Sequence, residues 1–215
     1  MIDTESAARA YVQSHWGEQA AADCEVLAER LCRENAVQNL VSKTTLNEVW
    51  VRHIADSAQL LEHALQNTGS WIDIGSGAGF PGLIVAILRR DWKVTLVEPR
   101  RLRVAWLQAI CTDLQLTNCV IVQAKAEHCQ VPAHDVVSAR AVSDLAHLLT
   151  MTSKMGHSET RWIFAKGRNA LMELEAVPSA LASRFVFHVK HSLTAPDARI
   201  IVAEHAKDPG RRCSL

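Results

Sequence analysis

A chain of 215 residues and 23.7 kDa can bury one sizeable core with a small helical addition. Its 48% hydrophobic and 21% charged content is that of a soluble globular protein, and no apolar run approaches the roughly 20 residues of a membrane span. The net charge of zero hides a gradient, because only five Lys/Arg against ten Asp/Glu precede residue 70 and the remainder is basic, as in a chain that turns one basic face to an anionic partner.

The opening "MIDTESAARA" is acidic and lacks an apolar signal core, so a cytoplasmic protein is expected. The six cysteines never form a CxxC pair and read as reduced, buried thiols rather than a zinc or disulfide framework. From Glu18 to Asn39, Ala21, Cys24, Leu27, Ala28 and Leu31 recur at the three- and four-residue spacing of one buried helix face. A second helix is expected with Asn47 as its N-cap, repeating Trp50, Ile54, Ala58, Leu61 and Leu65 until "NTGS" at 67–70. The period then changes. Strand-like runs occupy 71–74, 94–97, 119–122, 135–138, 161–165, 185–189 and 199–203. Helical patterns lie at Leu83–Leu88, Leu102–Leu114, Leu145–Met155 and Leu171–Leu181. This alternation predicts an α/β fold with a mostly parallel seven-stranded sheet, covered on both faces, and the last two runs suit a hairpin that ends it in an antiparallel edge strand. The expected organisation is a helical annex over 1–69, a sheet domain over 70–205 and a loose tail over 206–215.

"WIDIGSGAGFPG" at 71–82 stands where the first strand turns into the first helix of the sheet domain. Ligands of open α/β sheets bind at the carboxyl ends of the strands, and glycines there admit them close to the backbone. Gly75, Gly77 and Gly79 run G-x-G-x-G, but Phe80 stands where a dinucleotide fingerprint needs its third glycine. Asp73, two residues before the first glycine, suits a ligand with positive charge and hydroxyls better than a pyrophosphate. Glu98, directly after "VTLV", is placed to accept two ribose hydroxyl protons. Ala126 and Glu127 follow the third strand at the mouth of the same cleft, where a small residue beside an acid suits an adenine ring.

Asp73, the three glycines, Glu98 and the strand–helix alternation together resemble the Rossmann-like class I S-adenosylmethionine-dependent methyltransferases. "NLVS" (39–42), "VRHIADS" (51–57), "DIGSGAGFPGL" (73–83), "LVEPRRLRVAWL" (96–107), "AE" (126–127), "SARAV" (138–142) and "AKG" (165–167) extend the resemblance to the 16S ribosomal RNA guanine-N7 methyltransferases, the glucose-inhibited division protein B family. The chain departs from that family's pattern with Lys125 before the AE pair and with Ala139 between Ser138 and Arg140. The resemblance implies S-adenosylmethionine as cofactor, bound by Asp73, Gly75, Gly77, Gly79, Phe80, Glu98, Ala126, Glu127 and Arg140. It implies 16S ribosomal RNA or the small ribosomal subunit as partner, with no metal and no membrane; nothing in the sequence suggests an obligate dimer, and a monomer is expected. Competing readings are a methyltransferase for a small molecule or protein, and a catalytically silent binding module.

Guanine N7 carries an in-plane lone pair and no proton, so methyl transfer to it needs no general base, only alignment. The ten histidines are accordingly read as non-catalytic, with His53 and Asp56 expected to hydrogen-bond the annex to the sheet domain. Trp50 and Trp71 read as core. Basic residues follow successive strand ends: Arg100, Arg101 and Arg103, then Lys125, Arg140, and finally Lys166 and Arg168. Arg101, Arg103, Lys125, Lys166 and Arg168 are the expected RNA contacts, with Lys166 and Arg140 positioning the substrate.

Overall fold

The computed structural model describes residues 1–207, so most of the expected tail, from residue 208 on, lies outside the described residues. The first helix, α1 (Glu5–Gln38), begins at Thr4, whose hydroxyl accepts the Ala7 N–H at 3.2 Å. It breaks at Gly17 (φ 88°, ψ 173°) and ends at Asn39 in the left-handed region. Its first half escapes a reading by periodicity because only Ala8 and Val12 are buried there, too few to mark a stripe.

The next segment is helical but irregular: a 3₁₀ stretch at Lys43–Glu48, a π turn at Trp50–Ala55, one α turn (α2, Asp56–Ala58) and a 3₁₀ stretch at Gln59–His63. Asn47 does not cap it and lies inside the first stretch, whose cap position, Ser42, makes no side-chain bond to a backbone amide there. The amides an N-cap would serve are taken by the Glu5 carboxylate of α1, which accepts from Trp50 N at 3.0 Å and Val51 N at 2.9 Å.

The chain then alternates. β1 (Ser70–Ile74), α3 (Gly82–Leu88), β2 (Lys93–Val97), α4 (Arg101–Asp113) and β3 (Cys119–Val122) build one half of the sheet. β4 (His134–Arg140), α5 (Leu145–Thr152), β5 (Gly156–Lys166), α6 (Ala170–Glu175), α7 (Ser179–Ala182), β6 (Phe185–His191) and β7 (Arg199–His205) complete it. One helix was expected over 171–181. Two short ones form, because Pro178 removes an N–H and keeps Val177 out of a continuing helix. The strand order is β3-β2-β1-β4-β5-β7-β6, parallel except for β7, which runs antiparallel between β5 and β6. The order reverses between β1 and β4, so the ligand-binding crevice of such a sheet lies over their C-terminal ends.

Alternation along the strands divides the core between the two faces. Trp71, Val94, Leu96 and Ile163 face α1, the 43–63 segment, α3 and α4. Ile72, Ile74, Trp162 and Phe164 face α5, α6 and α7. The annex is thus one helical layer of the first face. It is also tied to the β6–β7 hairpin: Gln59 Nε2 donates to Ser192 Oγ at 3.2 Å, Leu193 N donates to Gln59 Oε1 at 2.7 Å, and Thr194 Oγ1 donates to Asp56 Oδ1 at 2.7 Å. That network brings the annex up to the C-terminal ends of β4 and β5.

Removing the Glu5 carboxylate strands two part-buried amides. Glu5→Ala is expected to cost about 2–3 kcal/mol, read as a lowered thermal midpoint with native circular dichroism; an unchanged midpoint would show that the cross-element cap contributes nothing.

Candidate active site

Strand β1 ends on a turn whose glycines adopt left-handed φ at Gly75 (67°), Gly77 (57°) and Gly79 (104°). The amides of the turn point inward. Gly75 N and Ser76 N both donate to Val97 O, at 2.8 and 3.1 Å, and Gly79 N donates to Ser76 O at 2.7 Å. Gly77 N donates to Glu98 Oε2 at 2.9 Å, and the other oxygen, Oε1, accepts from Arg100 N at 2.8 Å. A phosphate-binding loop offers such donors to its ligand; this one has used them on β2. Each Glu98 oxygen keeps a further lone pair with which to meet a hydroxyl.

Three of the four glycines are constrained by the protein's own packing, Gly75 because a Cβ there would come within 2.8 Å of Val142 Cγ2. A Cβ on Gly79 would overlap Leu83 Cδ1, and one on Gly82 would overlap Leu96 Cδ2 and approach Asp73 Cβ at 2.8 Å. A Cβ on Gly77 would meet nothing nearer than Arg103 Nη1, at 3.5 Å. Gly77 is thus the glycine of the turn whose Cβ position is not closed by a clash, although the residue is buried with the Arg103 guanidinium beside it.

Asp73 does not face the crevice. It is fully buried, with Oδ1 accepting from Ser138 Oγ at 2.8 Å and Oδ2 from Gly82 N at 3.3 Å. Ser138 in turn accepts from Trp71 Nε1 at 2.8 Å. The expected ligand contact is thus a brace joining β1, β4 and the start of α3. Burial pushes the Asp73 carboxyl up to about 6, against hydrogen bonds from Ser138 and the Gly82 amide that favour the ionised form.

Phe80 is likewise engaged by the protein itself. Its ring is buried and stacks on His53, with centroids 5.0 Å apart and planes 19° apart, while the Arg140 guanidinium lies 5.3 Å from its centroid. The side chain that breaks the dinucleotide pattern docks the glycine turn on the annex.

Arg140 reaches the annex. Its Nη1 donates to Arg52 O at 3.0 Å and to Asp56 Oδ2 at 3.2 Å, and its Nη2 donates to His53 Nδ1 at 3.0 Å. With Nδ1 accepting, His53 carries its proton on Nε2, which donates to Thr45 Oγ1 at 2.9 Å. Burial foremost, then Arg140 and Arg52, hold the His53 pKa down at about 3, so the ring is neutral. His53 and Asp56 do join annex to sheet, through Arg140.

Lys166 is also committed. It is 9% exposed, and its ammonium donates to Ser143 O at 2.6 Å and pairs with Glu173 Oε2 at 2.7 Å. The same Glu173 oxygen accepts the Leu145 N–H at 3.0 Å, tying the loop after β4 to α6. The expected free RNA contact is a buried strut. Arg100, Arg101, Lys125 and Arg168 are exposed, whereas Arg103 is half-buried beside the turn. Ala126 is half-buried against the second core and Glu127 is exposed, its carboxylate 3.9 Å from His147 Nε2.

A cleft of about 430 Å³ opens between the annex and the ends of β4, β5 and β7. Arg52, Arg140, Lys166 and Arg199 line it with Asp56 and Glu173. That volume suits a small-molecule or nucleotide-sized group. Sequence reasoning missed Arg52, Glu173 and Arg199 as part of it. Glu173, seven residues after Lys166, needed the turn between β5 and α6 to bring it back. A second hollow of about 460 Å³, beside Glu5, Arg9 and Trp50, holds none of the expected residues. Among the described residues no group of three His, Cys, Asp or Glu side chains is placed to hold a metal, and no helix is long and apolar enough to cross a membrane.

The seven-stranded order with its reversed last strand, and the glycine turn bound to an acid at the end of β2, define a Rossmann-like class I methyltransferase fold. Solved structures agree at the level of fold. The chain is similar to a fibrillarin/Nop5p complex (TM-score 0.58, 11% identity, 73% of this chain and 82% of that one) and to a precorrin-6y C5,15-methyltransferase from Geobacter metallireducens (TM-score 0.56, 15% identity, 79% and 93%). Residues 21–201 match the family model described as rRNA small subunit methyltransferase G. The chain is 44% identical over 202 residues to the ribosomal RNA small subunit methyltransferase G of Erythrobacter litoralis, covering 94% of this chain and 97% of that protein. It is 38% identical over 215 residues to that of Rhizorhabdus wittichii, covering 98% and 97%. The chain belongs to the rRNA small subunit methyltransferase G family, GidB.

The raised Asp73 pKa has a sign that can be tested. The native state takes up this proton near pH 6 while the unfolded carboxyl stays ionised until about 3.8, so Asp73 makes the fold less stable as pH rises through that window. Asp73→Asn removes the effect. Its stability relative to the wild type is expected to improve between pH 4 and pH 6, by roughly 3 kcal/mol at most, and then to level off. A difference that does not change with pH would show that Asp73 is not perturbed.

Proposed function

We propose that this protein transfers a methyl group from S-adenosylmethionine to N7 of a guanine in 16S ribosomal RNA of the small ribosomal subunit. Membership of the family supports the RNA class of the substrate. The observation that carries the cofactor reading is the inward hydrogen bonding of the turn amides at Gly75, Ser76, Gly77 and Gly79, which removes the donors a pyrophosphate needs. What the turn offers instead is a glycine, Gly77, whose Cβ position no atom closes, beside the buried Glu98 carboxylate, an acceptor for a ribose with two hydroxyls. These residues fit a nucleoside without phosphates.

When bound, S-adenosylmethionine supplies an electrophilic methyl group. The chain's task is to bring N7 in line with it, and the lone pair of N7 is available without removal of a proton. Gly77 and Glu98 fix the cofactor end. Ala126 and Glu127, just past β3, border the same end; Glu98 N donates to Val122 O at 3.1 Å, which places the ends of β2 and β3 side by side. Lys166 and Arg140 act from within the walls: through Ser143 and Glu173 the one sets the loop after β4, and through Asp56 and His53 the other sets the annex. Both therefore position the substrate by shaping the cleft that receives it. Arg101, Lys125 and Arg168 stand exposed around the C-terminal edge, where phosphates of the RNA are met.

The test uses ribosomal RNA from cells lacking this gene, incubated with the protein and methyl-labelled S-adenosylmethionine. Mass spectrometry of nuclease fragments is expected to place one new 7-methylguanosine in the 16S RNA. Label on another atom, on protein alone, or on no RNA at all would overturn the reading.

A further inference from the structure

Parallel strands all deliver their C-terminal ends to the binding edge of the sheet, but an antiparallel strand delivers its start. β7 is that strand. Its first residue, Arg199, pairs in register with Lys166, the last residue of β5. A search for cations just past strand ends therefore passes over Arg199, although it lies on the same rim. Arg52 reaches the cleft from the annex, where its carbonyl accepts the Arg140 guanidinium at 3.0 Å and so fixes its backbone at the cleft wall.

The four cations of the cleft are not equivalent. Arg140 is paired with Asp56 at 3.2 Å and Lys166 with Glu173 at 2.7 Å, so each acid of the cleft is already matched by a cation. The unmatched charge is that of Arg52 and Arg199. The Arg52 guanidinium is exposed and has no hydrogen-bond or ion-pair partner among the described residues. Arg199 donates through Nη1 to Pro196 O at 2.7 Å and Ala198 O at 2.8 Å, and its Nε and Nη2 have no partner among the described residues. A guanidinium with free donors is suited to a phosphate, which it can meet through two parallel hydrogen bonds.

We propose that Arg52 and Arg199 are the phosphate anchors of the RNA segment whose guanine enters this cleft, and that Lys166 and Arg140 touch no phosphate. The proposal rests on the reading of the protein as a ribosomal RNA methyltransferase. It widens the RNA surface from the parallel strand ends to the annex and the β6–β7 hairpin, which the Gln59 and Asp56 bonds hold together. Two cations on two different elements then clamp the strand on either side of the base.

Neutralising phosphates makes binding salt-dependent, by roughly 0.7 in the slope of log K against log salt for each contact on single-stranded RNA. The experiment measures affinity for the RNA substrate that the wild type methylates at several salt concentrations, with steady-state kinetics and S-adenosylmethionine affinity alongside. Arg52→Ala and Arg199→Ala are each expected to flatten the slope by roughly 0.7 and to raise the RNA KM several-fold, leaving kcat and cofactor affinity unchanged. Lys93→Ala, at the start of parallel strand β2 and hence on the opposite rim, is expected to leave slope and KM as they are. Arg52→Glu, on an exposed side chain without partners among the described residues, carries the test alone if loss of the Arg199 bonds to Pro196 and Ala198 lowers stability. Unchanged slopes for the Arg52 and Arg199 variants, or a slope lost only in Lys166→Ala, would overturn the assignment. A wild-type protein that methylates no RNA sinks the reading beneath it instead, and is recognised before any variant is made.

Discussion

Each oxygen of the Glu98 carboxylate accepts one backbone amide, from Gly77 on one side and Arg100 on the other, and the site is organised around that pair of bonds. One bond shapes the glycine turn after β1; the other shapes the entry into α4. Hydrogen bonds to a charged acceptor are the stronger kind, and burial raises the cost of losing them. With Val97 O taking two further amides, the turn is fixed by β2 before any ligand arrives. A backbone so engaged can present carbon and carbonyl surface to a nucleoside, but few donors to a phosphate. The proposed nucleoside cofactor rests on where the amides go.

The annex acts on the same turn from the other side. Phe80 stacks on His53, and Arg140 bonds His53, Asp56 and the Arg52 carbonyl, so the end of β4, the glycine turn and the annex share one cluster. His53 must be neutral to accept from Arg140, and its burial between two arginines keeps it so. The histidine is thus a hydrogen-bond connector and not a base. Its position also explains why the cleft has a defined volume: annex and hairpin are bonded to each other, and both are bonded to the strand ends.

Much of this was legible from residue order. The seven strands and their helices follow from apolar runs alternating with three- and four-residue periodicity, and the chemistry of the turn follows from Phe80 in place of a third glycine. What was not legible depends on partners distant in sequence. Asp73 looks like a ligand contact because it precedes the glycines, yet Ser138, sixty-five positions on, draws it into the core. Lys166 and Arg140 look like free cations at strand ends until Glu173 and Asp56 fold back on them. Arg199 looks like an ordinary strand opening until the strand is known to run backwards. Local pattern gave the elements; pairing of charges across elements decided which side chains remain free.

The central claim, that Glu98 both holds the turn and meets the nucleoside, is tested most directly by calorimetric titration of Glu98→Ala with S-adenosylmethionine. Loss of a charged acceptor is worth about 1.5–3 kcal/mol, so the affinity is expected to fall roughly ten- to a hundred-fold in a protein that still unfolds cooperatively. Wild-type affinity in a variant of wild-type stability would contradict the account.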